Sequence, residues 1–451
     1  MAAVRTAAVH DLGCKVNHAE MDSVARGLRA RGIRVLEPHA RADLVVVNTC
    51  TVTGVADAKS RQAVRRARRA NPDAELVVTG CSVAIDPRQF AVADPAAHLV
   101  DARSTVLDDM LEGLIGVGPL PTLSGAEPAE VAPPRAERTR AYIKVQDGCS
   151  FHCTYCVIPR ARGAERSLPP EAVLADVRRA LAEGRREIVL TGINIGTYDG
   201  GASEPGPRGS HRWEALSLAG LIRRILAETP VERLRLSSIE AQHVRDELLG
   251  VWADSGGRCL PHFHVPLQAG DDGVLRRMGR RYDTAQYAEL IRRIRQISPD
   301  AAIHADVIVG FPTEDEAAWA RGRAFIESIG FAGLHAFRYS ARPGTPAVRM
   351  AGQVDEATRQ RRAAELLAFA AERRRAFAAA QTGRTLEVLF EEPSRDRHGA
   401  WVGHAENHVL VEASARDGRP LGNEIARVRV DGLIGDTDRL GGTLVEGGHG
   451  R

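Results

Sequence analysis

Ten residues near the middle of the chain, 147–156, read DGCSFHCTYC. They carry Cys149, Cys153 and Cys156, so the spacing is Cys-x3-Cys-x2-Cys on one short stretch. A structural zinc site usually takes four ligands and shows Cys-x2-Cys pairs. A four-iron, four-sulfur cluster ordinarily takes four cysteines, so three thiolates leave one iron open to an outside ligand. The spacing predicts such a cluster, and the alternative is a zinc site completed by His152.

Strands and helices are predicted to alternate around this stretch. Six β-rich apolar runs lie at 141–146, 187–191, 233–237, 262–267, 303–310 and 333–339. Amphipathic stretches separate several of them, for example 170–183, 215–228 and 283–297. Alternation of this kind predicts a parallel sheet with crossover helices. Six units are too few for a closed eight-fold barrel, so we expect a partial (β/α)6 barrel over 139–375.

The regions on either side differ in character. Residues 1–117 show short apolar runs at 5–9, 43–48 and 75–79, with helical patterns at 17–31 and 54–70. They predict a second parallel-sheet α/β domain. Residues 118–138 hold five prolines and no aromatic residue, which is typical of a linker, and 201–212 is a Gly/Pro/Ser loop. After a helical stretch at 356–380, short runs at 385–391, 400–405, 408–413 and 424–430 predict a small all-β barrel over 380–446.

Composition narrows the class of protein. With 44% hydrophobic and 26% charged residues in 451, the chain is neither disordered nor fibrous. No apolar run approaches the roughly 18–20 residues of a membrane span, and His10 and Asp11 interrupt any signal-peptide core. We therefore expect a cytoplasmic protein with no membrane partner. All but three of the 61 basic residues are arginine, a bias that a GC-rich genome explains, so only local placement of arginine is informative.

Three further cysteines are predicted to meet in space. Cys14 comes soon after the run 5–9, Cys50 follows VVVNT, and Cys81 follows VVTG. Because the carboxyl ends of parallel strands meet at one edge of a sheet, the three thiols should share one crevice. They predict a second three-cysteine cluster, and the alternative is three unrelated buried cysteines.

These features together resemble the radical S-adenosylmethionine (SAM) methylthiotransferases over nearly the whole chain. The matching strings are LGCKVN (12–17), NTCTVT (48–53), TGC (79–81), KVQDGC (144–149), HVPLQAG (264–270), GFPTE (310–314) and YSARPGT (339–345). CKVN after the first cysteine, and SSIE at 237–240, resemble the branch that acts on N6-threonylcarbamoyladenosine in tRNA. The branch that acts on isopentenyladenosine typically has Gln-Met-Asn after that cysteine. The terminal β-barrel is similar to the RNA-binding TRAM module.

The resemblance implies a reaction and its cofactors. SAM would bind the open iron held by Cys149, Cys153 and Cys156, and reductive cleavage would yield a 5′-deoxyadenosyl radical. The second cluster, on Cys14, Cys50 and Cys81, would carry or deliver sulfur, and a methylthio group would be placed on carbon 2 of the adenosine at tRNA position 37. An electron donor such as flavodoxin or ferredoxin, and a sulfur donor, are implied as partners.

Contacts to SAM are predicted at six positions. The resemblance places Tyr155 near the adenine. The superfamily's usual Gly-Gly-Glu is replaced by TGIN at 191–194, so Gly192 and the Asn194 carbonyl are the candidates there. Ser237 and Gln268 are expected at the barrel mouth. Arg162 is predicted to hold the SAM carboxylate or an RNA phosphate, and it is also the candidate partner of the threonylcarbamoyl carboxylate. The nearby Arg160 and Arg166 are weaker candidates for the SAM carboxylate or an RNA phosphate.

A basic run is the strongest candidate for RNA contact. It has six basic residues and no acid between 58 and 72: Lys59, Arg61, Arg65, Arg66, Arg68 and Arg69. At helical spacing 61, 65, 68 and 69 share a face, which predicts phosphate contact; the alternative is a solvated basic helix.

Three other functions fit the sequence less well. A methylthiotransferase that acts on a ribosomal-protein aspartate would use the same clusters. A non-catalytic iron–sulfur carrier would not need the barrel. A cobalamin-dependent radical methylase is disfavoured, because its Asp-x-His-x-x-Gly motif is absent from the sequence.

Overall fold

The computed structural model describes residues 4–101, 106–115, 139–202 and 215–449. The predicted linker at 118–138 and most of the predicted loop at 201–212 lie outside these ranges. The described residues form two compact units. The first takes in those within 1–131, with Gln146–Arg166 and Ser340–Val348, and the second takes in those within 132–145, 167–339 and 349–451. The cysteine loop at 149–156 thus belongs to the unit that contains the N-terminal sheet.

The helices and strands follow in chain order. Up to residue 115 they are β1 (Thr6–Asp11), α1 (Lys15–Ala30), β2 (Arg34–Leu36), β3 (Leu44–Thr49), α2 (Gly54–Ala70), β4 (Glu75–Gly80), α3 (Cys81–Ile85), α4 (Arg88–Ala93), β5 (His98–Leu99) and α5 (Val106–Ile115). From 140 to 254 they are β6 (Arg140–Lys144), β7 (Gln146–Asp147), α6 (Ile158–Arg162), β8 (Arg166–Ser167), α7 (Pro170–Ala182), β9 (Glu187–Thr191), α8 (Leu218–Glu228), β10 (Arg233–Leu236) and α9 (Asp246–Asp254).

The remaining elements complete the second unit. They are β11 (His262–His264), α10 (Asp272–Met278), α11 (Thr284–Ile297), β12 (Ala302–Val309), α12 (Glu316–Ile329), β13 (Gly333–Arg338), α13 (Glu356–Ala379), β14 (Thr385–Pro393), β15 (Trp401–Ala405), β16 (Leu410–Ala413), β17 (Ile425–Leu433) and β18 (Leu440–His449). Short 3-10 turns occur at Ile195–Thr197, Ala241–His243 and Pro346–Arg349. Among the described residues, no helix combines the length and the apolar character needed to cross a membrane.

The N-terminal sheet is parallel with strand order β2-β1-β3-β4-β5, which confirms the predicted α/β class. Its central strand β3 is buried along its whole length, and separate apolar clusters cover the two faces of the sheet. A sheet covered on both faces reads as a continuous apolar run, which is why β3 was predictable. The edge strands β2 and β5 were missed because they have only three and two residues.

The six predicted strands of the second unit form two parallel three-stranded sheets, β10-β9-β6 and β11-β12-β13. A parallel bridge between Leu234 and Cys259 joins β10 to the chain just before β11. The two sheets, joined by this bridge, confirm the predicted partial barrel. Strand β11 ends at His264 rather than at the predicted 267, because Pro266 has no N–H to continue the ladder.

The C-terminal strands close into a barrel of order β14-β15-β16-β18-β17, as predicted for an all-β module. The last strand, Leu440–His449, was missed because Gly441, Gly442, Gly447 and Gly448 weaken its strand pattern. A buried apolar core that includes Val388, Phe390 and Val411 fills this barrel.

A buried ion cluster stabilises the second unit at strands β6, β9 and β10. Glu187 is fully buried on β9 and pairs with Arg140, Arg233 and Arg235 at 3.0–3.1 Å. Burial alone would raise the pKa of Glu187, but the three guanidinium groups outweigh it and hold the pKa below its ordinary value. Arg233 and Arg235 also donate to carbonyl oxygens of the C-terminal barrel, at His404 and Glu406.

Candidate functional site

Cys14, Cys50 and Cys81 lie together at the carboxyl edge of the N-terminal sheet. Cys14 precedes α1, Cys50 directly follows β3, and Cys81 is the first residue of α3. A Cβ placed on Gly13 would approach the Cβ of Cys50 to 2.9 Å, so the two segments are in contact. Burial raises the pKa of the Cys81 thiol to about 12; Arg162 opposes this shift, and Cys14 and Cys50 are near enough to add to it. The structure therefore brings the three predicted ligands to one crevice.

Asn17 connects the first of these cysteines to the end of β3. Its amide Nδ2 donates to the Leu12 carbonyl at 2.7 Å and to the side-chain oxygen of Asn48 at 3.2 Å. The Cys14 thiol donates to Asn17 Oδ1 at 3.6 Å. Asn17 is fully buried, and it is the last residue of the CKVN string. Its side chain holds the two strand ends in register with each other.

A sharp turn at Gly80 places the third cysteine. Gly80 has φ 104°, and a Cβ there would lie 2.3 Å from the Asn48 side-chain oxygen and from the Thr49 carbonyl. Only glycine fits this approach of two strand ends. The chain then enters α3 directly, so the Cys81 side chain stays at the edge where Cys50 lies.

Arg162 follows one group of cysteines along the chain and contacts the other group in space. It lies on α6, six positions after Cys156, and is fully buried. Its Nε donates to Sγ of Cys81 at 3.0 Å. Nη1 donates to Glu20 at 2.7 Å and to Asp147 at 3.1 Å, while Nη2 donates to Asn17 at 2.9 Å and to Glu20 at 3.1 Å. All five N–H groups of the guanidinium are thus used inside the first unit.

The predicted role of Arg162 has to be compared with these bonds. A carboxylate of SAM or of the threonylcarbamoyl group would have to displace one of the partners. The contact between Arg162 and such a carboxylate stays a prediction. Sequence reasoning missed the arrangement at Cys81, since Arg162 and Cys81 are 81 positions apart. Arg166 lies 3.7 Å from Asp147, and Arg160 donates to the Pro343 carbonyl at 2.6 Å.

The loop with Cys149, Cys153 and Cys156 has a defined backbone in which all three thiols are half-buried. Gly148 has φ 69°, and a Cβ there would meet the Ala164 carbonyl oxygen at 2.0 Å. The Cys149 N–H donates to the Gly163 carbonyl at 3.0 Å, and the Cys156 N–H donates to the Cys153 carbonyl at 3.0 Å. The loop therefore closes on the segment that carries Arg162. Tyr155 lies within this loop, as its position in the sequence requires.

The segment Ser340–Val348 packs against both groups of cysteines. Arg342 is buried and forms an ion pair with Asp57 at 2.6 Å and a hydrogen bond to Thr51, the residue after Cys50. Asp57 also accepts a hydrogen bond at 2.7 Å from Ser82, the residue after Cys81. The Ala347 N–H donates to the Thr154 carbonyl at 2.9 Å. The string YSARPGT thus supports the backbone beside the cysteines.

The other predicted SAM contacts lie in the second unit, at the carboxyl ends of its strands. Gly192 and Asn194 follow β9, and Ser237 directly follows β10, where its N–H donates to the Leu190 carbonyl at 2.9 Å. Gln268 has φ 67°, its N–H donates to the Asp306 carbonyl, and its own carbonyl accepts from Ile308. Their common edge agrees with the prediction; their contact with SAM stays a prediction.

The predicted basic helix is α2, and its basic residues divide into two sets. Lys59, Arg65, Arg66 and Arg69 are exposed. Arg61 instead donates to Gln89 at 2.7 Å, and Arg68 pairs with the buried Asp94 at 2.6 Å and donates to the Ala74 carbonyl at 2.8 Å. Arg61 and Arg68 are thus held by residues of α4, of its C-terminal end and of the loop after α2, so the exposed set is the better candidate for phosphate contact, which stays a prediction.

Comparison with known proteins agrees with this architecture. The Radical SAM superfamily profile matches residues 143–321, and that of Uncharacterized protein family UPF0004 matches 6–101. The threonylcarbamoyladenosine tRNA methylthiotransferase MtaB of Bacillus subtilis is 36% identical over 417 residues, 90% of each chain. The tRNA-2-methylthio-N(6)-dimethylallyladenosine synthase of Jannaschia sp. is 33% identical over 446 residues, 97% of this chain and 93% of that one.

A solved structure has a related fold. The radical SAM methyltransferase TsrM from Kitasatospora setae superposes with a TM-score of 0.54 at 16% identity, covering 76% of this chain and 77% of that one. The fold and the two groups of cysteines define a radical SAM enzyme. The chain belongs to the radical SAM methylthiotransferase family. Membership implies SAM and a four-iron cluster as cofactors, and three half-buried thiols on one loop fit that cluster.

Proposed function

We propose that this protein transfers a methylthio group to carbon 2 of N6-threonylcarbamoyladenosine at position 37 of tRNA, with two four-iron clusters. The observation that carries the proposal is the convergence of Cys14, Cys50 and Cys81 beside Arg162, in the same compact unit as the loop of Cys149, Cys153 and Cys156. The thiols of Cys149, Cys153 and Cys156 would bind the cluster that cleaves SAM. The other group would bind the cluster that carries sulfur.

The donor set at the N-terminal sheet suits a cluster. Three thiols at one edge provide the soft ligands that iron–sulfur clusters prefer. Loading requires the thiols to lose their protons, and the permanently charged Arg162 beside Cys81 compensates the resulting negative charge. Asn17 and the turn at Gly80 orient the strand ends that carry the ligands.

The chemistry explains the need for two sites. The C2–H bond of adenine is neither acidic nor electrophilic, so acid–base catalysis does not reach it. When bound, the SAM-binding cluster supplies an electron that generates a carbon-centred radical. The protein positions both sulfur and adenosine and excludes water. Tyr155, Gly192, Asn194, Ser237 and Gln268 are the side chains and backbone groups that we propose for SAM.

The identity of the base is the finer part of the proposal. It is supported by the CKVN string at 14–17 and by the 36% identity to the Bacillus subtilis MtaB. The alternative, dimethylallyladenosine, is supported by the relative from Jannaschia sp., which aligns over 97% of this chain. Partners would be tRNA, an electron donor such as flavodoxin or ferredoxin, and a sulfur donor.

Mass spectrometry of tRNA nucleosides, from cells with and without the protein, tests this function. Loss of the methylthio derivative of threonylcarbamoyladenosine, with the unmethylthiolated nucleoside accumulating, is the expected result. Loss of the dimethylallyladenosine derivative would assign the other branch. If both nucleosides were unchanged, a digest of ribosomal proteins would be searched for a methylthiolated aspartate, and finding one would overturn the tRNA proposal.

A further inference from the structure

Three side chains on neighbouring strands of the second unit face one another without any role in the reaction above. His264 lies on β11, Asp306 on β12 and His335 on β13. In the register of the sheet, His264 is opposite His304 and Asp306 is opposite His335. Side chains of a strand alternate between its faces, so 304 and 306 share a face. The three side chains therefore project from the same face of three adjacent parallel strands.

Each histidine lies as far from the Asp306 carboxylate as two ligands of one metal ion lie from each other. His264 Nε2 lies 3.0 Å from Asp306 Oδ1, and His335 Nδ1 lies 3.3 Å from the same oxygen. All three ligand atoms are within 4.8 Å of one another. Two ligands about 2.0–2.1 Å from one metal ion lie about 2.9 Å apart at a right angle and about 3.4 Å apart at a tetrahedral angle.

Hydrogen bonds of good geometry do not account for the arrangement. His264 Nε2 and Asp306 Oδ1 are buried, and neither has a hydrogen-bond partner with acceptable geometry among the described residues. They face each other at ion-pair distance, but their directions do not suit a hydrogen bond. A buried carboxylate oxygen without a donor is costly. A cation between the two atoms would satisfy both.

The charge around the carboxylate leads to the same conclusion. Within the described part of the chain, the ion pairs of Asp306 are made only to the two histidines, and neither arginine nor lysine pairs with it. The side chain of His335 is 59% exposed and that of His264 only 10%, so one side of the site opens to solvent while the other is enclosed. An ion has a path of entry past His335.

We propose that His264, Asp306 and His335 bind one divalent transition-metal ion, at a site separate from the six cysteines. Two imidazoles and one carboxylate are a donor set for Zn²⁺, Fe²⁺ or Co²⁺ rather than for Mg²⁺ or Ca²⁺. Three protein ligands leave a coordination position for water or a small anion. The site goes beyond the proposed methylthio transfer and requires no part of it.

Co²⁺ alone is the probe, because its content can be measured separately from cluster iron. Reconstituted full-length protein is dialysed anaerobically against micromolar CoCl2, and cobalt and iron are counted by elemental mass spectrometry. We expect one cobalt per chain with unchanged iron. D306N, which preserves shape, and H335A, at an exposed position, should each weaken cobalt binding at least tenfold. H398A, which removes an exposed histidine elsewhere, should bind as the wild type does.

Two outcomes would overturn the site: no cobalt above the background of the triple variant H264A/D306N/H335A, or equal binding by D306N, H335A and wild type. In either case the histidines form only an ion pair with Asp306. A rise in melting temperature with cobalt concentration, seen in wild type and absent in D306N, is the second readout. Neither measurement depends on SAM cleavage or tRNA, so a failure of the proposed function would leave the cobalt count unaffected.

Discussion

Arg162 donates a hydrogen bond from Nε to Sγ of Cys81 at 3.0 Å, from a helix that begins two positions after Cys156. The same guanidinium is bonded to Glu20 and Asp147. One buried cation is thereby shared by two carboxylates and one cysteine of the proposed second cluster. We expect the stability of this edge of the sheet to depend on it.

Replacing Arg162 by Gln should lower the free energy of unfolding of the cluster-free protein by about 3–5 kcal/mol, because two carboxylates lose their buried charge partner. Denaturant titration measures this loss. The double variant R162Q/E20Q should recover part of the loss, since it removes one of the stranded charges. R65Q, at an exposed position on α2, is the control and should change stability by less than about 0.5 kcal/mol. Equal effects of R162Q and R65Q would contradict the role given to Arg162.

Changing Cys149, Cys153 and Cys156 together to Ala should halve the iron of the anaerobically reconstituted protein, from about eight to about four per chain. Formation of 5′-deoxyadenosine should be abolished, because SAM loses the iron to which it binds. Iron analysis and chromatography of the SAM products provide the two measurements. C259A is the matched control: its thiol is buried beside β10 in the second unit, and iron should stay near eight. Unchanged iron in the triple variant would show that these cysteines are not ligands.

Changing Cys14, Cys50 and Cys81 together to Ala should also remove about four irons, but with a different functional result. Reductive cleavage of SAM should continue, because the thiols of the other loop are untouched. The methylthio product should disappear, since sulfur has no carrier. Chromatography of 5′-deoxyadenosine measures SAM cleavage, and nucleoside analysis of tRNA after single-turnover reactions measures the methylthio product. Persistence of the product would mean that sulfur comes from another site.

The exposed basic residues of α2 should contact tRNA phosphates. Each neutralised phosphate contributes about −0.7 to −0.9 to the slope of log affinity against log salt, so R65Q/R66Q/R69Q should make the slope shallower by roughly two to three units. Filter binding at several salt concentrations measures the slope. Preference for threonylcarbamoyladenosine over plain adenosine should persist, because phosphate contacts do not specify the base. The triple variant R178Q/R186Q/R292Q, on exposed arginines of the second unit, is the control; equal slopes in the two variants would show that α2 merely faces solvent.

Glu187 should stabilise the second unit at neutral pH and lose that effect in acid. E187Q removes the carboxylate that Arg140, Arg233 and Arg235 share. Arg140 and Arg233 keep a second partner, but the buried Arg235 loses the carboxylate it pairs with, so we expect a loss of about 3–5 kcal/mol at pH 7. The pKa of Glu187 is lowered in the folded protein from 4.5, so the folded state resists protonation. The stabilisation is therefore complete well above pH 4.5, the ordinary pKa of the carboxyl, and declines as the pH falls through that value. Denaturant titrations at pH 7, 5 and 4 should show the gap between wild type and E187Q narrowing only below pH 5. E232Q, which removes an exposed partner of Arg186, should change little at any pH.

Much of the fold was predictable because its determinants are local along the chain. Buried parallel strands such as β3 read as continuous apolar runs, and α2 was predicted at its observed bounds, Gly54–Ala70. The early end of β11 has a local cause too, since Pro266 cannot donate to the ladder. The grouping of Cys14, Cys50 and Cys81 followed from their common position after parallel strands, since such strands share one edge.

The partners of individual charged side chains were not predictable in the same way. Whether Arg162 faces a substrate carboxylate or Cys81, whether Arg68 faces solvent or Asp94, and whether His264, Asp306 and His335 meet all depend on residues tens of positions apart. The spacing of cysteines and the period of apolar residues are properties of the linear chain, and they determined the class of fold and the candidate ligands. A long, flexible side chain can reach several partners, and packing selects among them by burial and by the cost of an unpaired charge. That selection exists only once the strands and helices have been brought together.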